Sequence, residues 1–400
     1  MKKLLLLGGS HYIIPVIQAA HDMGIYVITC DYLPGNVAHA YADEYHNVSI
    51  VEPEHVLELA RNLSIDGIMS FATDPGVVVA SYVAEQLNIP GCPYESTVIL
   101  QNKDLFRSFL RDNNFHTPMA KSYHDVLHAL EEIQKFSFPV IVKPVDSAGS
   151  KGVSRIDQIE DFADAFERAM ANSKSGKVII EEFIEQRGHS SDTECFSVND
   201  ELVFASFNCQ CFDKEAINPY VPSAFYWPSD MPSEIQRELR SEIQRLIRIL
   251  HLGTSIYNVE TRWGVDGHPY IMEISPRGGG NRLAEILKMA CGTDLISNSI
   301  RAALGMTVDK MEDPVYQGVW AEYIVHGHQN GVFQDLVIED SIARRYLVER
   351  DLWVKPGDSV HEFTGANQTL GTLVFQFDSV EQAQKALTNT REWIKIFIKT

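Results

Sequence analysis

Residues 260 to 277 read Glu260-Thr261-Arg262-Trp263-Gly264-Val265-Asp266-Gly267-His268-Pro269-Tyr270-Ile271-Met272-Glu273-Ile274-Ser275-Pro276-Arg277. Two apolar-rich stretches flank Asp266-Gly267, a turn-forming dipeptide, so the pattern predicts a hairpin. Each strand carries one carboxylate in apolar company, and an arginine follows the second. Bringing Glu260 and Glu273 together makes a hard, oxygen-rich pocket suited to Mg²⁺, while Arg277 can hold a phosphate or a carboxylate. The same residues also fit a hairpin with two surface glutamates, so the choice falls to the rest of the chain.

Working outward, 400 residues are too many for one ordinary core and predict two or three domains. The composition, 45% hydrophobic and 22% charged, is that of a globular protein. A net charge of −20 argues against a phosphate-backbone binder, so no nucleic-acid partner is expected, although small anions can still bind in local basic pockets. The opening Met1-Lys2-Lys3-Leu4-Leu5-Leu6-Leu7 briefly resembles a signal peptide. It breaks at Gly8-Gly9-Ser10-His11 with no small-residue cleavage site following, which fits a buried first strand better. No segment is long or apolar enough to span a bilayer, so no membrane partner is expected. Cys30, Cys92, Cys195, Cys209, Cys211 and Cys291 are scattered without a C-x-x-C pair. That usage predicts reduced thiols in a cytoplasmic protein, not a disulfide frame or a zinc site.

The first hundred residues alternate strand and helix patterns: strands at 3–7, 26–31 and 67–71, helices at 13–23, 56–63 and 77–87. This rhythm predicts an open parallel α/β sheet with its ligand crevice at the strands' carboxyl ends. Ile89-Pro90-Gly91-Cys92-Pro93 marks a connection. An α+β unit follows over 101–308. It has helices at 103–112, 159–171 and 234–250, strands at 139–143, 177–184, 192–198 and 202–208, and then the acidic hairpin. Residues 309–400 predict a smaller α+β domain with strands at 318–325, 343–348 and 370–377 and a helix at 380–388.

Four further stretches could carry chemistry. Gly8-Gly9-Ser10 follows the first strand, where small residues let backbone N–H groups approach an anion. Only a fragment of G-x-G-x-x-G is present, so Asp31 as a ribose-binding acid in a nicotinamide oxidoreductase is the weaker alternative. In Val142-Lys143-Pro144 a buried strand delivers a lysine, and Val145 to Val153 form a small-residue loop able to fold over phosphates. Val178-Ile179-Ile180-Glu181-Glu182-Phe183-Ile184-Glu185 can offer backbone donors and acceptors to a purine edge, with Glu181 or Glu185 as acceptors for adenine or ribose. Lys103 opens a helix, where a cation is locally unfavourable unless an anion lies nearby.

The order of these elements resembles the ATP-grasp enzymes across residues 1–305, and more loosely beyond. The likeness is strongest at Val142-Lys143-Pro144 and at Met272-Glu273-Ile274-Ser275-Pro276-Arg277-Gly278-Gly279. Biotin carboxylase, phosphoribosylglycinamide synthetase-like enzymes and amino-acid ligases are the relatives it most suggests. The resemblance implies a pre-ATP-grasp domain at 1–100, an ATP-grasp domain at 101–308 with a lid at about 138–190, and a C-terminal domain at 309–400. It implies that Lys103 and Lys143 contact the phosphates of ATP. Ser147, Ala148, Gly149, Ser150 and Gly152 would form the lid over them. Glu181, Glu182, Phe183 and Ile184 would line the adenine site, and His189 would lie near the ribose. Glu260, Glu273 and Ser275 would bind Mg²⁺, with Mn²⁺ as a substitute; Arg277 would hold the reacting acyl phosphate or carboxylate, and Lys143, also near adenine, is the second residue expected to be catalytic. Two positions depart from the family: Ser275 stands where an asparagine ligand is usual, and Gly188 where many members place a ribose-binding glutamate.

The activity so implied is ATP- and Mg²⁺-dependent joining of a small-molecule carboxylate to an amine through an acyl phosphate. One alternative is a phosphoribosylglycinamide synthetase- or formyltransferase-like purine-pathway enzyme, with Gly8-Gly9-Ser10 and Asp74 meeting the substrate. Another is a nucleotide-binding module without catalysis. Specificity is expected from the loop 212–227, and a homodimer is the default assembly.

Overall fold

The computed structural model describes residues 1–147 and 151–400. It is a mixed α/β structure with one parallel sheet and four antiparallel ones.

The leucine run at the start becomes the strand Lys3–Leu7, inside a four-stranded parallel sheet between Tyr26–Cys30 and Gly67–Ser70, with Glu44–His46 at one edge. Alternation sends Leu4 and Leu6 into one core and Leu5 and Leu7 into another. A sheet covered on both faces needs apolar residues at every position, so the run is continuous. Each fully buried leucine contributes roughly 1.5–3 kcal/mol. The helix Val77–Leu87 covers this sheet, and the helix Pro53–Leu63 begins at a proline whose missing N–H costs nothing there.

Gly8, at φ +115°, turns the chain after the first strand, and a Cβ on Gly9 would sit 2.6 Å from the His39 ring. Asp31 is buried and accepts the Leu33 N–H at 2.9 Å.

Two antiparallel sheets follow. One orders Ala120–Tyr123, Val178–Glu182, Val140–Pro144 and Ser154–Ile156. The other orders Glu201–Ser206, Ser191–Val198, Ser255–Trp263 and Pro269–Ser275. The helix Ser233–Leu250 backs the second sheet with Leu239, Ile243, Leu246, Ile247 and Leu250, a spacing that puts one apolar stripe against it.

A five-stranded sheet then joins Cys209–Phe212 and Pro222–Trp227 to Val319–Val325, Gly371–Phe377 and Leu347–Leu352. It draws strands from both sides of residue 308. A three-stranded sheet of Ser359–Val360, Gly331–Ile338 and Ile394–Lys399 lies alongside.

Two expectations are corrected, and one element is new. The strand expected at 343–348 is a helix, Asp340–Tyr346, followed by the strand Leu347–Leu352. The second half of the loop expected at 212–227 is the strand Pro222–Trp227, where Ala224 to Trp227 are all buried. The connection at 89–93 leads straight into a helix, Tyr94–Gln101, that the sequence pattern did not announce. All six cysteines are free, and no helix among the described residues is long and apolar enough to cross a membrane.

Candidate active site

The hairpin register places Glu260 directly opposite Glu273, and the other neighbour of Glu260 is Asp192 on the adjoining strand. Three carboxylates therefore lie in a row across three strands. A bulge beside Glu260 re-aims the chain at this point. Two residues along, Asn258 stands between Ser275 and Glu194. Its Nδ2 donates to Asp192 Oδ1 at 2.7 Å and to Glu194 Oε1 at 2.8 Å. The Gly279 N–H also donates to Glu194 at 3.0 Å. Burial pushes Glu194 up to about 8, and Asp192 adds to the rise. Burial likewise lifts Asp192 to about 6, with Glu260 and Glu273 reinforcing it against Arg277. The row is a concentrated negative field that an added cation would relieve.

Facing this row is a cationic wall. Lys143, from the strand Val140–Pro144, lies 2.7 Å from Glu181 Oε2, and Arg107 Nε lies 2.9 Å from Glu181 Oε1. Burial alone would raise the Glu181 carboxyl, but Arg107 and Lys143 outweigh it and hold it at about 2. Lys103 sits in the first turn of the helix Lys103–Asp112, where Asn102 accepts the N–H groups of Asp104 and Leu105. The Lys103 ammonium donates to the Ser147 carbonyl at 2.8 Å. Phe183 lies beneath the Arg155 guanidinium at 4.4 Å.

Acid row and cationic wall bound one cleft. Of the residues singled out from sequence, Lys103, Lys143, Ser147, Glu181, Glu182, Phe183, Ile184, Glu260, Glu273, Ser275 and Arg277 line it. Glu182 also accepts the Ser137 N–H at 2.8 Å. The Ser275 hydroxyl donates to Asp74 at 2.9 Å and accepts from Gln101 at 3.0 Å, leaving one lone pair. Arg277 is held by Asp74 through Nε at 2.8 Å and a terminal nitrogen at 2.7 Å. Burial works against the guanidinium charge, but Asp74 and Asp192 more than restore it. Asp74 thus has a carboxylate committed to Arg277, and its side chain caps no helix.

Gly152 and His189 do not line the cleft. Gly152 has φ +71° and packs on Asn172, a backbone requirement. His189 Nδ1 pairs with Asp230 at 2.9 Å. Ala148, Gly149 and Ser150 fall outside the described residues.

Sequence reasoning passed over Asp192, Asn258, Arg262 and Gln210, which also line the cleft, and Arg107 behind Glu181; Phe212 and Tyr220, from the stretch 212–227 expected to set specificity, line it too. Asp192 had one available signal, an acid alternating with Glu194 on an otherwise buried strand.

Gly279 is a further position the site cannot do without. A Cβ there would stand 2.6 Å from Glu194 Oε1, 2.7 Å from Leu283 and 2.8 Å from Asn258. Gly279→Ala is expected to cost about 1–3 kcal/mol, as overpacking does. A denaturant midpoint equal to that of the wild type would show that the loop yields freely.

The family described as the carbamoyl-phosphate synthase L chain ATP-binding domain matches residues 102–311, more than half of the chain. The chain belongs to this ATP-grasp family. The matched segment carries both walls of the cleft, from Lys103 to Arg277. Formate-dependent phosphoribosylglycinamide formyltransferase from Prochlorococcus marinus is 30% identical over 193 residues, 46% of this chain and 48% of that one. The curated relatives are matched over half of their length or less. Among solved structures, an L-amino acid ligase from Bacillus licheniformis superposes with a TM-score of 0.82 at 20% identity, covering 100% and 99% of the two chains. Phosphoribosylglycinamide synthetase from Anaerococcus prevotii gives 0.76 at 20% identity over 100% of both. These likenesses show that the fold shared with those proteins extends over the full length of the chain.

Proposed function

We propose that this ATP-grasp chain is an ATP- and Mg²⁺-dependent ligase that activates a carboxylate and joins it to an amine. One observation carries this reading: the pair Glu260/Glu273 shares a single cleft with Lys103 and Lys143, and Arg277 lines it too. Hard oxygen donors on one wall and ammonium groups on the other match a metal-bound polyphosphate.

In this reading Glu260 and Glu273 hold the ion, and Ser275 offers its remaining lone pair as a weak third oxygen. Lys103 and Lys143 neutralise phosphate oxygens. Ser147, whose carbonyl accepts from Lys103, lies beside them. Glu181 keeps Lys143 charged and aimed, and Phe183 and Ile184 contact the base. Arg277, oriented by Asp74, grips the substrate carboxylate. When bound, Mg²⁺-ATP supplies the phosphoryl group that turns this carboxylate into an acyl phosphate for the amine to attack. Residues 1–100 and 309–400 would then close the substrate end of the cleft, with 138–190 as the lid.

The identity to the formyltransferase favours a second reading, a purine-pathway enzyme acting on a phosphoribosyl amine. The experiment that separates them is a phosphate-release screen with Mg²⁺-ATP, pairing amino acids and small carboxylates with amines, and formate with a phosphoribosyl amine. We expect release that needs both a carboxylate and an amine. Release with formate and the phosphoribosyl amine alone would select the second reading. ADP formation with no co-substrate, or binding without any turnover, would remove the ligase assignment.

A further inference from the structure

Behind the wall of the cleft, side chains from two distant segments meet at one oxygen. Asp213 follows the strand Cys209–Phe212, and His326 and His328 follow the strand Val319–Val325. Asp213 Oδ2 lies 3.2 Å from His326 Nε2 and 2.6 Å from His328 Nε2. The three ligand-capable atoms all fall within 4.8 Å of one another.

His326 is the deciding residue. It is fully buried, with its ring stacked on Phe363 at 4.3 Å. Its Nδ1 lies 2.6 Å from the Ile324 carbonyl oxygen, which can only accept. A neutral ring must therefore carry its proton on Nδ1, leaving a bare lone pair on Nε2. That lone pair faces a carboxylate oxygen, another acceptor. Two acceptors cannot face each other in a buried site without a positive charge between them. An Nδ1–H anchored on a backbone carbonyl, with Nε2 aimed at a carboxylate and a second imidazole, is how proteins orient a metal-binding histidine.

We propose that Asp213, His326 and His328 bind one divalent transition-metal ion of the Zn²⁺ class. Two imidazoles and a carboxylate suit Zn²⁺, Co²⁺ or Ni²⁺, whereas Mg²⁺ and Ca²⁺ take oxygen shells. Tetrahedral ligation with 2.0–2.1 Å bonds sets donors about 3.3 Å apart. His326 already stands at that distance from Asp213, and the exposed His328 needs to swing out only slightly. Asp213 Oδ1 accepts the Glu215 N–H at 2.9 Å, which leaves Oδ2 for the ion. Arg391 approaches Oδ2 to 3.6 Å but is paired with Glu215, so two carboxylates face a single guanidinium.

The ion would staple the segment 213–221 to the C-terminal side of the five-stranded sheet. Phe212 and Tyr220, at the ends of that segment, line the cleft, so the staple would set the shape of its substrate-side wall. The inference does not depend on the nucleotide reading. A second group, His189, Cys209 and Asp230, already satisfies itself: the thiol donates to Asp230 Oδ1 at 3.2 Å and His189 pairs with Oδ2 at 2.9 Å.

The test uses full-length protein stripped with a chelator and titrated with Zn²⁺ alone, without nucleotide. Metal is counted after gel filtration, and Co²⁺ substitution supplies a visible spectrum. The wild type is expected to retain a Zn²⁺ equivalent and to melt at a higher temperature with it. His328→Ala and Asp213→Asn should each weaken that binding by more than the 10–100-fold typical of losing an outer-shell partner. Glu273→Gln and Asp230→Asn should leave it unchanged. Because His328 is exposed, circular dichroism should show its variant folded. Uptake that His328→Ala and Asp213→Asn both retain would overturn the proposal. So would no uptake by the stripped wild type.

Discussion

Replacing Glu273 by glutamine is expected to lower turnover by about 10²–10³-fold, the usual consequence of losing one preorganised charge at a reacting centre. The same change should leave the nucleotide-free protein slightly more stable. Glu273 and Glu260 stand directly opposite on paired strands, and Asp192 flanks them on the third. Like charges so placed repel, and removing one relieves roughly 0.2–1 kcal/mol. Arg262, 3.0 Å from Glu260, offsets part of the repulsion but does not reach the whole row. Loss of activity together with an unchanged or raised melting temperature separates a metal ligand from a structural residue. A variant that melts early, or one that keeps its phosphate-release rate, would end the metal-pair assignment. Raising Mg²⁺ should recover part of the activity if the remaining ligand still holds the ion weakly.

Glu181→Ala should have the largest effect on stability. The carboxylate is 2% exposed and lies between Arg107, 4% exposed, and Lys143, 14% exposed. Removing it strands two cations in the interior, a class of change that costs about 3–5 kcal/mol. The loss should appear locally, as faster hydrogen exchange in the strands Val140–Pro144 and Val178–Glu182. The sign of its pH dependence follows from the depressed carboxyl. Folding lowers Glu181 from its ordinary 4.5 to about 2, so its contribution is fully present above 4.5 and is lost as pH falls through 2. The difference between wild type and variant should therefore be flat from pH 7 to about 4.5 and shrink below it. A difference that instead grew on acidification would mean that the cluster is held by something other than this carboxylate.

The parts of the fold legible in the sequence were those with a strong local period. The helix Val77–Leu87 and the helix Lys103–Asp112 begin and end where their apolar spacing and the Asn102 cap place them. Asp266-Gly267 marked the turn between the strands Ser255–Trp263 and Pro269–Ser275. Illegible elements were short or hid their period. Ile342, Ala343 and Tyr346 pack on one core at helical spacing, but about two turns are too few to distinguish from a strand. Ala224 to Trp227 are buried on both faces, so no alternation shows.

The site divided along the same lines. Residues within one motif, such as Lys143 or Glu273, could be found, because each motif holds its own chemistry. Pairs closed by tertiary structure could not. Asp74 and Arg277 lie 203 positions apart in the chain, and nothing local to Asp74 points to a guanidinium. Glu194 owes its raised carboxyl to burial beside Asp192, a fact that exists only once the sheet has formed.

The shared five-stranded sheet sets a limit on how the molecule can be cut. Pro222–Trp227 hydrogen-bonds on one side to Cys209–Phe212 and on the other to Val319–Val325. A recombinant fragment stopping at residue 311, where the family match ends, would lack the second partner. It would bare the unpaired edge and aromatic flank of Phe225, Tyr226 and Trp227, a template for intermolecular strand addition. Such a piece is expected in inclusion bodies, even though it keeps both the acid row and the cationic wall.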